Sequence, residues 1–203
     1  MSRPAGPVKN ADVSTSILII TGDAGESYEC LYARHRLLEA GLAPVIAAPS
    51  QRRLHLVIHD FEAGWDTYVE RQGYGAESDI TFDAVRVEDY EAVLVLGGRA
   101  PEYLRHDPRV TALVRAFDAQ GKWVFAICHG VQILAAAGLI SGRRVTAYEN
   151  CRWEIEAAGA TYVASDQAVR DGRIVTGQTW QSHPEFYREI FACLGRRADA
   201  ARS

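Results

Sequence analysis

The stretch KWVFAICHGVQILAAAG, residues 122–138, decides the prediction of the fold. Residues 122–127 are mostly apolar, which indicates a strand buried on both faces, and residues 131–137 have the apolar content of a buried helix that Gly138 ends. Only Cys128-His129-Gly130 separates the two, so the chain must turn sharply between them. A side chain on such a turn stands out at the edge of the sheet, and we therefore predict a nucleophile elbow at Cys128.

The same alternation of short apolar runs with helical patterns occupies most of the chain. Further buried strands are predicted at residues 17–21, 44–48 and 92–96. Helices are predicted in the segment that Gly41 ends and at residues 110–119, 149–158 and 182–194. Strands that are apolar throughout must be covered on both faces, so the pattern predicts an α/β fold of three layers, in which helices cover both faces of a mostly parallel central sheet.

Three segments carry more local predictions. Residues 49–82 contain only two or three short strand-like pieces, whose order the pattern does not predict. Asp171-Gly172 predicts a type I′ hairpin turn within residues 169–175. Ser182 and Glu185, with Pro184 between them, predict a capping box at the start of the last helix.

A length of 203 residues suits one α/β domain. We predict that a single domain covers residues 16–196. Residues 1–15 are rich in Pro, Gly and Ser and are expected to form a flexible N-terminal tail. Residues 197–203 are expected to form a polar C-terminal tail.

Composition argues against several classes of protein. Lys and Arg number 22 against 26 Asp and Glu, a formal net charge of −4, and no basic run is present, so nothing supports a nucleic-acid binder. No apolar stretch is long enough to cross a bilayer or to form a secretory signal, and we expect a cytoplasmic protein without membrane contact. The four cysteines form no CxxC pair and no zinc-like spacing with histidine, so free thiols without a metal or other cofactor are expected: Cys30, Cys128, Cys151 and Cys193.

The carboxyl ends of parallel strands are where such folds place their sites. Three loops follow predicted strands there, at residues 23–29, 97–102 and 128–130. We therefore expect these loops to meet at one edge of the sheet.

Cys128 and His129 are the first candidates for chemistry. The start of the following helix offers unpaired N–H groups and positive potential, so we expect the pKa of the Cys128 thiol to lie below its usual value. A small buried apolar cysteine is the structural alternative. His129 titrates near neutral pH. Because it is next in sequence, we expect its ring to serve the substrate or a carboxylate rather than the sulfur, with a surface histidine as the alternative.

Glu26, Glu29 and the Gly97-Gly98 pair are the second set of candidates. Acids in the first turn of a helix are favoured by the helix dipole, and this alone can account for Glu26. Glu29 is expected to point across the site at Cys128, where burial would raise its pKa and make it a general acid or base. The Gly98 and His129 amides are expected to form an oxyanion hole, against the alternative of an ordinary turn after the strand.

Two longer stretches carry a resemblance to a known family. GGRAPEYLRHDP (97–108) and AICHGVQILAAAG (126–138) resemble the PfpI/ThiJ superfamily, which has a class I glutamine amidotransferase-like fold, and the resemblance covers residues 16–195. HDFEAGWDTY (59–68) and SHPEF (182–186) resemble the glyoxalase III-like and PfpI intracellular protease subgroup, which includes plant tandem-domain enzymes. The resemblance implies a flavodoxin-like sandwich and a homodimer or hexamer.

The resemblance also implies roles for individual residues. It makes Cys128 the reactive cysteine and Glu29 the glutamate that hydrogen-bonds it. Glu26 matches a second acidic position nearby. Glu102 matches a glutamate that reaches His129 of a neighbouring subunit in PfpI-type proteases.

Three positions depart from the pattern of the relatives. Leu96 precedes the glycine pair where the family often has Pro, and Val131 follows the elbow where the plant subgroup has Gln. Glu149 follows Thr146-Ala147-Tyr148 where relatives often have Pro. These differences predict a reshaped pocket wall and a substrate that can differ from that of the relatives.

The function expected from this resemblance is a glyoxalase III-like lyase that converts a small 2-oxoaldehyde such as methylglyoxal to a 2-hydroxy acid. Cys128 would add to the aldehyde and Glu29 would move the proton. One alternative is a cysteine peptidase, or another hydrolase or hydratase acting on amide or C–N bonds, with an intersubunit triad of Cys128, His129 and Glu102. Another is a redox-sensing or chaperone-like stress protein that uses the same thiol.

The end of the chain leaves one further alternative open. Cys128-His129-Gly130-Val131-Gln132 together with His183-Pro184-Glu185 resembles the triad glutaminases, although the capping box alone explains Ser182 to Glu185. His183 is therefore a possible pocket residue. Tyr148 and Trp180 are also named as possible pocket residues, because they fall near the ends of strands.

Overall fold

The computed structural model describes residues 15–195. The predicted tails, residues 1–15 and 197–203, lie outside the described residues except for Thr15. The boundaries of the single domain, 16–196, stay a prediction.

Thirteen strands and six α-helices make up the described chain. The strands are β1 Ser16–Ile20, β2 Ala43–Ala48, β3 Arg53–Leu54, β4 Val57–Asp60, β5 Val69–Gln72, β6 Ala76–Glu77, β7 Ile80–Thr81, β8 Ala92–Val95, β9 Trp123–Ile127, β10 Arg144–Val145, β11 Thr161–Tyr162, β12 Ala168–Asp171 and β13 Ile174–Gly177. The helices are α1 Ser27–Glu39, α2 Ala100–Leu104, α3 Pro108–Ala119, α4 Val131–Ala136, α5 Arg152–Ala157 and α6 His183–Cys193. Short 3₁₀ turns cover Phe82–Ala84, Val87–Asp89, Cys128–Gly130, Glu149–Cys151 and Trp180–Ser182.

The central sheet has seven strands in the order β12-β13-β9-β8-β1-β2-β7. All neighbours are parallel except β12 and β13, which form an antiparallel hairpin at one edge. The inner order β2-β1-β8-β9-β13 is the 2-1-3-4-5 arrangement of flavodoxin-like folds. The fold predicted from the buried strands is therefore confirmed.

Helices cover both faces of this sheet because the chain leaves β1 in two directions. The crossover from β1 to β2 and those from β8 to β9 and β13 run opposite ways, and right-handed crossovers then place their helices on opposite faces. On one side α1 packs against α6, where the Tyr32 and Tyr187 rings meet with centroids 5.0 Å apart. On the other side α3 packs on α4 and α4 on α5. Strands β1, β8 and β9 are buried along almost their whole length between these layers.

Three local predictions are corrected. Residues 49–82 hold five short strands rather than two or three, and β3–β6 and β4–β5 form two small antiparallel pairs outside the central sheet. The turn at Gly172 is not type I′, because Gly172 has a positive φ of 59° whereas Arg173 does not. Ser182 makes no capping bond to α6. Its hydroxyl donates to Gln167 Oε1 at 2.7 Å, and Thr179 caps the preceding 3₁₀ turn instead.

No helix between residues 15 and 195 combines the length and the apolar content needed to cross a membrane.

Candidate active site

The three loops expected at the sheet edge do meet there. Strand β1 lies between β2 and β8, and β8 lies next to β9, so the loops after β1, β8 and β9 are neighbours. The chain leaves β1 towards β2 on one side, and β8 lies on its other side, which makes this the point where strand order reverses and ligands bind in open α/β sheets. A bridge between Gly25 and Gly98 joins the first two loops directly.

Cys128 occupies a strained turn between β9 and α4. Its φ is 59°, a left-handed conformation that a residue with a side chain rarely adopts. The turn is possible because Gly130 follows: a Cβ at this glycine would lie 2.5 Å from the carbonyl oxygen of Val95. The predicted elbow is therefore present in the backbone, and the thiol lies at the carboxyl end of the sheet, 7% exposed.

The glycine pair after β8 lets three functional groups come close together. A Cβ on Gly97 would lie 2.5 Å from Cys128 Cβ and 3.0 Å from both Cys128 Sγ and Glu29 Oε2. Gly98 has a φ of 78°, and its Cβ would lie 2.3 Å from the amide nitrogen of Glu26. Any side chain at either position would displace the groups around the thiol.

Glu29 lies in the first turn of α1 and is completely buried beside Cys128. Its Oε2 accepts the Gly97 N–H at 2.6 Å, and its Oε1 has no hydrogen-bond partner among the described residues. Burial, and next the nearby Glu26, raise the pKa of Glu29 to about 8, against smaller lowering by its hydrogen bonds with Gly97 and Cys128. This carboxyl therefore keeps its proton at neutral pH, with one oxygen free for a substrate.

The pKa of the Cys128 thiol is corrected by the structure. Burial, followed by the charges of Glu29 and Cys151, raises it well above the usual value, while the His129 and Gly98 amides lower it. The expected lowering at the helix start is present but smaller than the effect of burial. Both Cys128 and Glu29 are therefore protonated at neutral pH, and loss of one proton places a single negative charge on this buried pair.

His129 approaches the sulfur more closely than its sequence position suggested. Its Nδ1 lies 3.4 Å from Cys128 Sγ, because the left-handed Cys128 and the 3₁₀ turn bring adjacent side chains together. Burial, then the charges of His59 and Arg105, lower the pKa of His129 to about 4. It is neutral at pH 7, so one ring nitrogen can accept a proton and the other can donate one.

Glu26 is the N-cap residue of α1 and also faces the cavity. Its Oε1 accepts the Tyr28 N–H at 3.1 Å, and its Oε2 accepts the His59 N–H at 2.9 Å. Burial raises the pKa of Glu26 to about 7 against these two bonds. The simple reading of an acid at a helix start is thus correct, and the same carboxyl lines the site.

The β4–β5 hairpin and its connecting loop cover this edge of the sheet. His59 is stacked on Tyr68, with centroids 4.0 Å apart, and its Nε2 lies 2.9 Å from Glu70 Oε2. Arg99 donates to both oxygens of Glu70, at 2.5 and 2.8 Å. Trp180 Nε1 donates to the carbonyl oxygen of His59 at 3.0 Å. The hairpin is therefore fastened to the loop after β8 and to the segment before α6.

A small, partly open cavity lies between these elements. It offers about 10 Å³ to the centre of a water molecule, which is room for about one water. Its walls are acidic and aromatic, with neither Lys nor Arg: Glu26, Glu29, His59, Phe61, Tyr68, Cys128, His129, Tyr148, Thr179 and Trp180. Such a site suits a small uncharged molecule.

Six of the ten residues named from the sequence line this cavity. Gly97 and Gly98 lie directly behind its walls, against Cys128 and Glu26, and two residues lie elsewhere. Glu102 is an exposed residue of α2 and is absent from the cavity walls. His183 is buried under α1, stacked on Tyr32 with centroids 4.4 Å apart, and neither ring nitrogen has a partner among the described residues. The structure does not bring either residue to Cys128 within one chain.

Sequence reasoning left out several residues of the site. Phe61, Tyr68, Thr179 and Glu70 were not singled out, and His59 was noted only within a matched stretch. The available signal was HDFEAGWDTY itself, residues 59–68, because an unpatterned segment that carries a family motif is more often part of a site than a plain loop.

Among residues 15–195 no group of three or more His, Cys, Asp and Glu side chains is arranged to hold a metal ion.

The fold and site define a class: flavodoxin-like proteins with a buried cysteine at a strand-to-helix elbow and a glutamate against it. The sequence matches the DJ-1/PfpI family over residues 15–193, and the chain belongs to that family. Among its relatives, Protein DJ-1 homolog D of Arabidopsis thaliana is 36% identical over 194 residues, which cover 93% of this chain and 50% of the relative. The chain thus spans half the length of that plant protein.

Archaeal relatives match over nearly their whole length. A protein of Pyrococcus horikoshii named a deglycase is 35% identical over 178 residues, 88% of this chain and 98% of the relative.

The solved structure of Drosophila melanogaster DJ-1beta superposes with a TM-score of 0.74 at 22% identity, covering 92% of each chain. A ThiJ/PfpI domain protein of Brachyspira murdochii gives 0.77 at 21% identity, covering 90% of this chain and 98% of that one. These structures support the fold.

Proposed function

We propose that this protein is a cysteine-dependent enzyme that converts a small 2-oxoaldehyde, such as methylglyoxal, to a 2-hydroxy acid. The observation that carries the proposal is the pairing of Cys128 with a fully buried Glu29, whose pKa is raised to about 8, in a cavity that admits only a small molecule. Membership of the DJ-1/PfpI family supports a chemistry of this general type.

The first step is addition of the thiol to the aldehyde carbon. The reactive form is the one in which the Cys128–Glu29 pair has lost one of its two protons. As the sulfur bonds to C1, the remaining thiol proton passes through the Glu29 carboxylate to the former aldehyde oxygen. The product is a hemithioacetal. The Gly98 and His129 amides, which lower the pKa of the Cys128 thiol by hydrogen bonding, would stabilise the developing oxygen charge.

The second step moves a hydrogen from C1 to C2. The Glu29 carboxylate removes the C1 proton and returns it to C2, and a pKa near 8 makes this carboxylate a stronger base than an ordinary one. Neutral His129 takes the proton from the C1 hydroxyl and gives one to the C2 oxygen. The result is a thioester of the 2-hydroxy acid, which water cleaves to release the acid and the free thiol.

Cleavage of C–N bonds is the second candidate function. Relatives from Pyrococcus horikoshii and Pyrococcus furiosus are named deglycases. An intersubunit triad would need Glu102, which is exposed and outside the cavity walls of this chain, to approach His129 of another subunit. This candidate predicts release of an amine from a methylglyoxal-modified amino acid.

The proposal is tested by product formation with reduced, purified protein. Wild type should form lactate from methylglyoxal, Cys128→Ser should form none, and Cys193→Ser, which removes a thiol at the other end of the fold, should match wild type. An amine-releasing activity that exceeds lactate formation would favour the second candidate. Absence of lactate with Cys128 shown to be reduced overturns the proposal.

A further inference from the structure

The cavity holds a second histidine that the isomerisation above leaves without a task. His59, on β4, is 4% exposed and lines the same cavity as Cys128 and Glu29. Its ring centroid lies 6.5 Å from that of His129. A buried imidazole that costs free energy to desolvate and faces the reacting groups calls for a functional explanation.

Glu70 determines which nitrogen of His59 carries the hydrogen. Arg99 holds both oxygens of Glu70, and hydrogen bonding to Arg99 is the main cause that lowers the pKa of Glu70 to about 2. An ionised carboxylate only accepts hydrogen bonds, so His59 Nε2, at 2.9 Å, must be the donor. In the neutral ring the lone pair then lies on Nδ1.

Nδ1, on the other side of the ring from Glu70, lies near Glu26, and both His59 and Glu26 line the cavity. Nδ1 lies 3.7 Å from Glu26 Oε2, too far for a direct hydrogen bond. Burial lowers the pKa of His59, so the ring is neutral and able to accept a proton at pH 7. Once protonated, it would have a carboxyl group on either side, Glu70 and Glu26.

We infer that His59, oriented by Glu70, is the general base that activates the water which cleaves the Cys128 thioester. This inference rests on the proposed function and assigns the base for its last step. Glu70 is a positioning residue, in the sense in which a carboxylate orients the imidazole of a nucleophile–base triad. The dyad comes from the hairpin over the cavity and is separate from the Cys128–Glu29 pair.

The step balances without any added reactant. The oxygen of water bonds to the thioester carbon while one of its protons passes to His59 Nδ1. The carbon–sulfur bond then breaks, and the Cys128 sulfur recovers that proton from the imidazolium. The 2-hydroxy acid and the thiol are the products.

The charge around His59 is set by groups from several elements. Those that face it or act on it are Glu26 before α1, Tyr68 and Glu70 of the hairpin, Arg99 after β8, Glu102 of α2 and His129 of the elbow.

The experiment follows one turnover by rapid acid quench. Full-length protein is mixed with methylglyoxal, quenched, unfolded and desalted, so that reversible hemithioacetal is lost, and bound lactate is then released with mild alkali. In wild type the thioester should not accumulate. In His59→Gln it should form at the wild-type rate, reach one equivalent and decay slowly, with kcat lowered about 100-fold.

A second variant keeps the test valid if His59→Gln folds poorly. Glu70→Gln retains an acceptor for Nε2 but loses the charge, so it should slow the same decay by about 10-fold. The pH profile of the decay should shift to lower pH, because the imidazolium loses its stabilisation and the pKa of His59 falls. Glu62→Gln, which removes an exposed ion pair with Arg71 on the same hairpin, should behave like wild type.

Each outcome is decisive. Equal slowing of thioester formation and decay in both variants would indicate a structural effect and overturn the inference. Unchanged decay in both variants would also overturn it, and would leave the proposed function intact. Wild type that forms neither thioester nor lactate would overturn the proposed function and this inference together.

Discussion

At the scale of single residues, the site is a set of groups whose charge is controlled by burial. Glu29 and Glu26 hold protons at pH values where exposed carboxylates are ionised, and His129 is uncharged where exposed histidines titrate. Only glycine at positions 97 and 98 allows these groups to meet. The shifted pKa values can be tested by measuring stability against pH, and the close approach at the glycine pair by measuring the activity of variants.

Glu29 should make the protein less stable at alkaline pH. In the unfolded chain it ionises near its ordinary 4.5, and in the folded protein near 8. Its contribution is therefore fully present below pH 4.5 and is lost as the pH rises through 8. Glu29→Gln should raise the free energy of unfolding by roughly 3–5 kcal/mol more at pH 9 than at pH 4.5, at about 1.4 kcal/mol per pH unit. Urea unfolding of wild type and Glu29→Gln at both pH values measures this effect. If the variant differs from wild type by the same free energy of unfolding at pH 4.5 and at pH 9, the raised pKa of Glu29 is contradicted.

His183 should act in the opposite direction. Burial lowers its pKa from 6.5 to about 4. The free energy of unfolding is therefore not reduced by protonation of His183 above pH 6.5, and it falls as the pH decreases through 4. His183→Leu should therefore gain up to about 3 kcal/mol relative to wild type between pH 7.5 and pH 4. Because the comparison is a difference between two pH values, the constant cost of repacking cancels, and a gain of zero would contradict the buried, unpartnered state of the ring.

Gly97 should be essential for activity more than for folding. In Gly97→Ala the new methyl group would stand between Cys128 and Glu29, so kcat should fall at least about 100-fold, while the free energy of unfolding falls by about 1–3 kcal/mol. Gly159→Ala is the matched control. Its φ of 82° is rarely adopted by a residue with a side chain, and its Cβ would meet only Ser141, 3.0 Å away, so it should cost stability and leave kcat close to wild type. Equal kcat values in the two variants would refute the close approach.

At the scale of elements, the strands and the elbow were predictable and the hairpin was not. Runs such as residues 92–96 and 122–127 are apolar because they are buried on both faces, and that burial is visible in the sequence. The β4–β5 hairpin has one open face and is held by specific bonds, Glu70 to Arg99 and Trp180 to His59, between residues far apart in the chain. The hydrophobic periodicity of a sequence carries no information about hydrogen bonds between such distant residues. For the same reason His129 could not be placed against the sulfur before the φ of Cys128 was known.

The hairpin should control access to the thiol. A substrate larger than a water needs more room than the cavity offers, so we expect the hairpin to move when such a molecule binds. Trp180→Phe removes the hydrogen bond to His59 and should favour opening by about 1 kcal/mol, roughly a fivefold faster alkylation of Cys128 by iodoacetamide. Peptide mapping reads Cys128 separately from Cys193. Trp123→Phe, in the sheet, should leave the rate unchanged, and equal rates in wild type and Trp180→Phe would argue against the gate.

At the scale of the whole molecule, strand order determines where the chemistry sits. The reversal at β1 brings the loops from three strands together. The pattern of strands and turns was enough to name Cys128, Glu29 and the glycine pair, and the family resemblance supported the same residues. The resemblance could not decide between Glu29, which is inside the cavity, and Glu102, which is exposed on α2. That choice depends on three-dimensional position and on whatever assembly this chain forms.

The most direct test of the account is therefore the rate of lactate formation from methylglyoxal by Glu29→Gln and Glu102→Gln, measured side by side with wild type. Glu29→Gln should lose at least about 100-fold in kcat, because the base that moves the C1 proton is gone. Glu102→Gln should stay within about twofold of wild type, because Glu102 lies outside the cavity walls. Full activity in Glu29→Gln together with loss of activity in Glu102→Gln would contradict the account and point to the intersubunit triad.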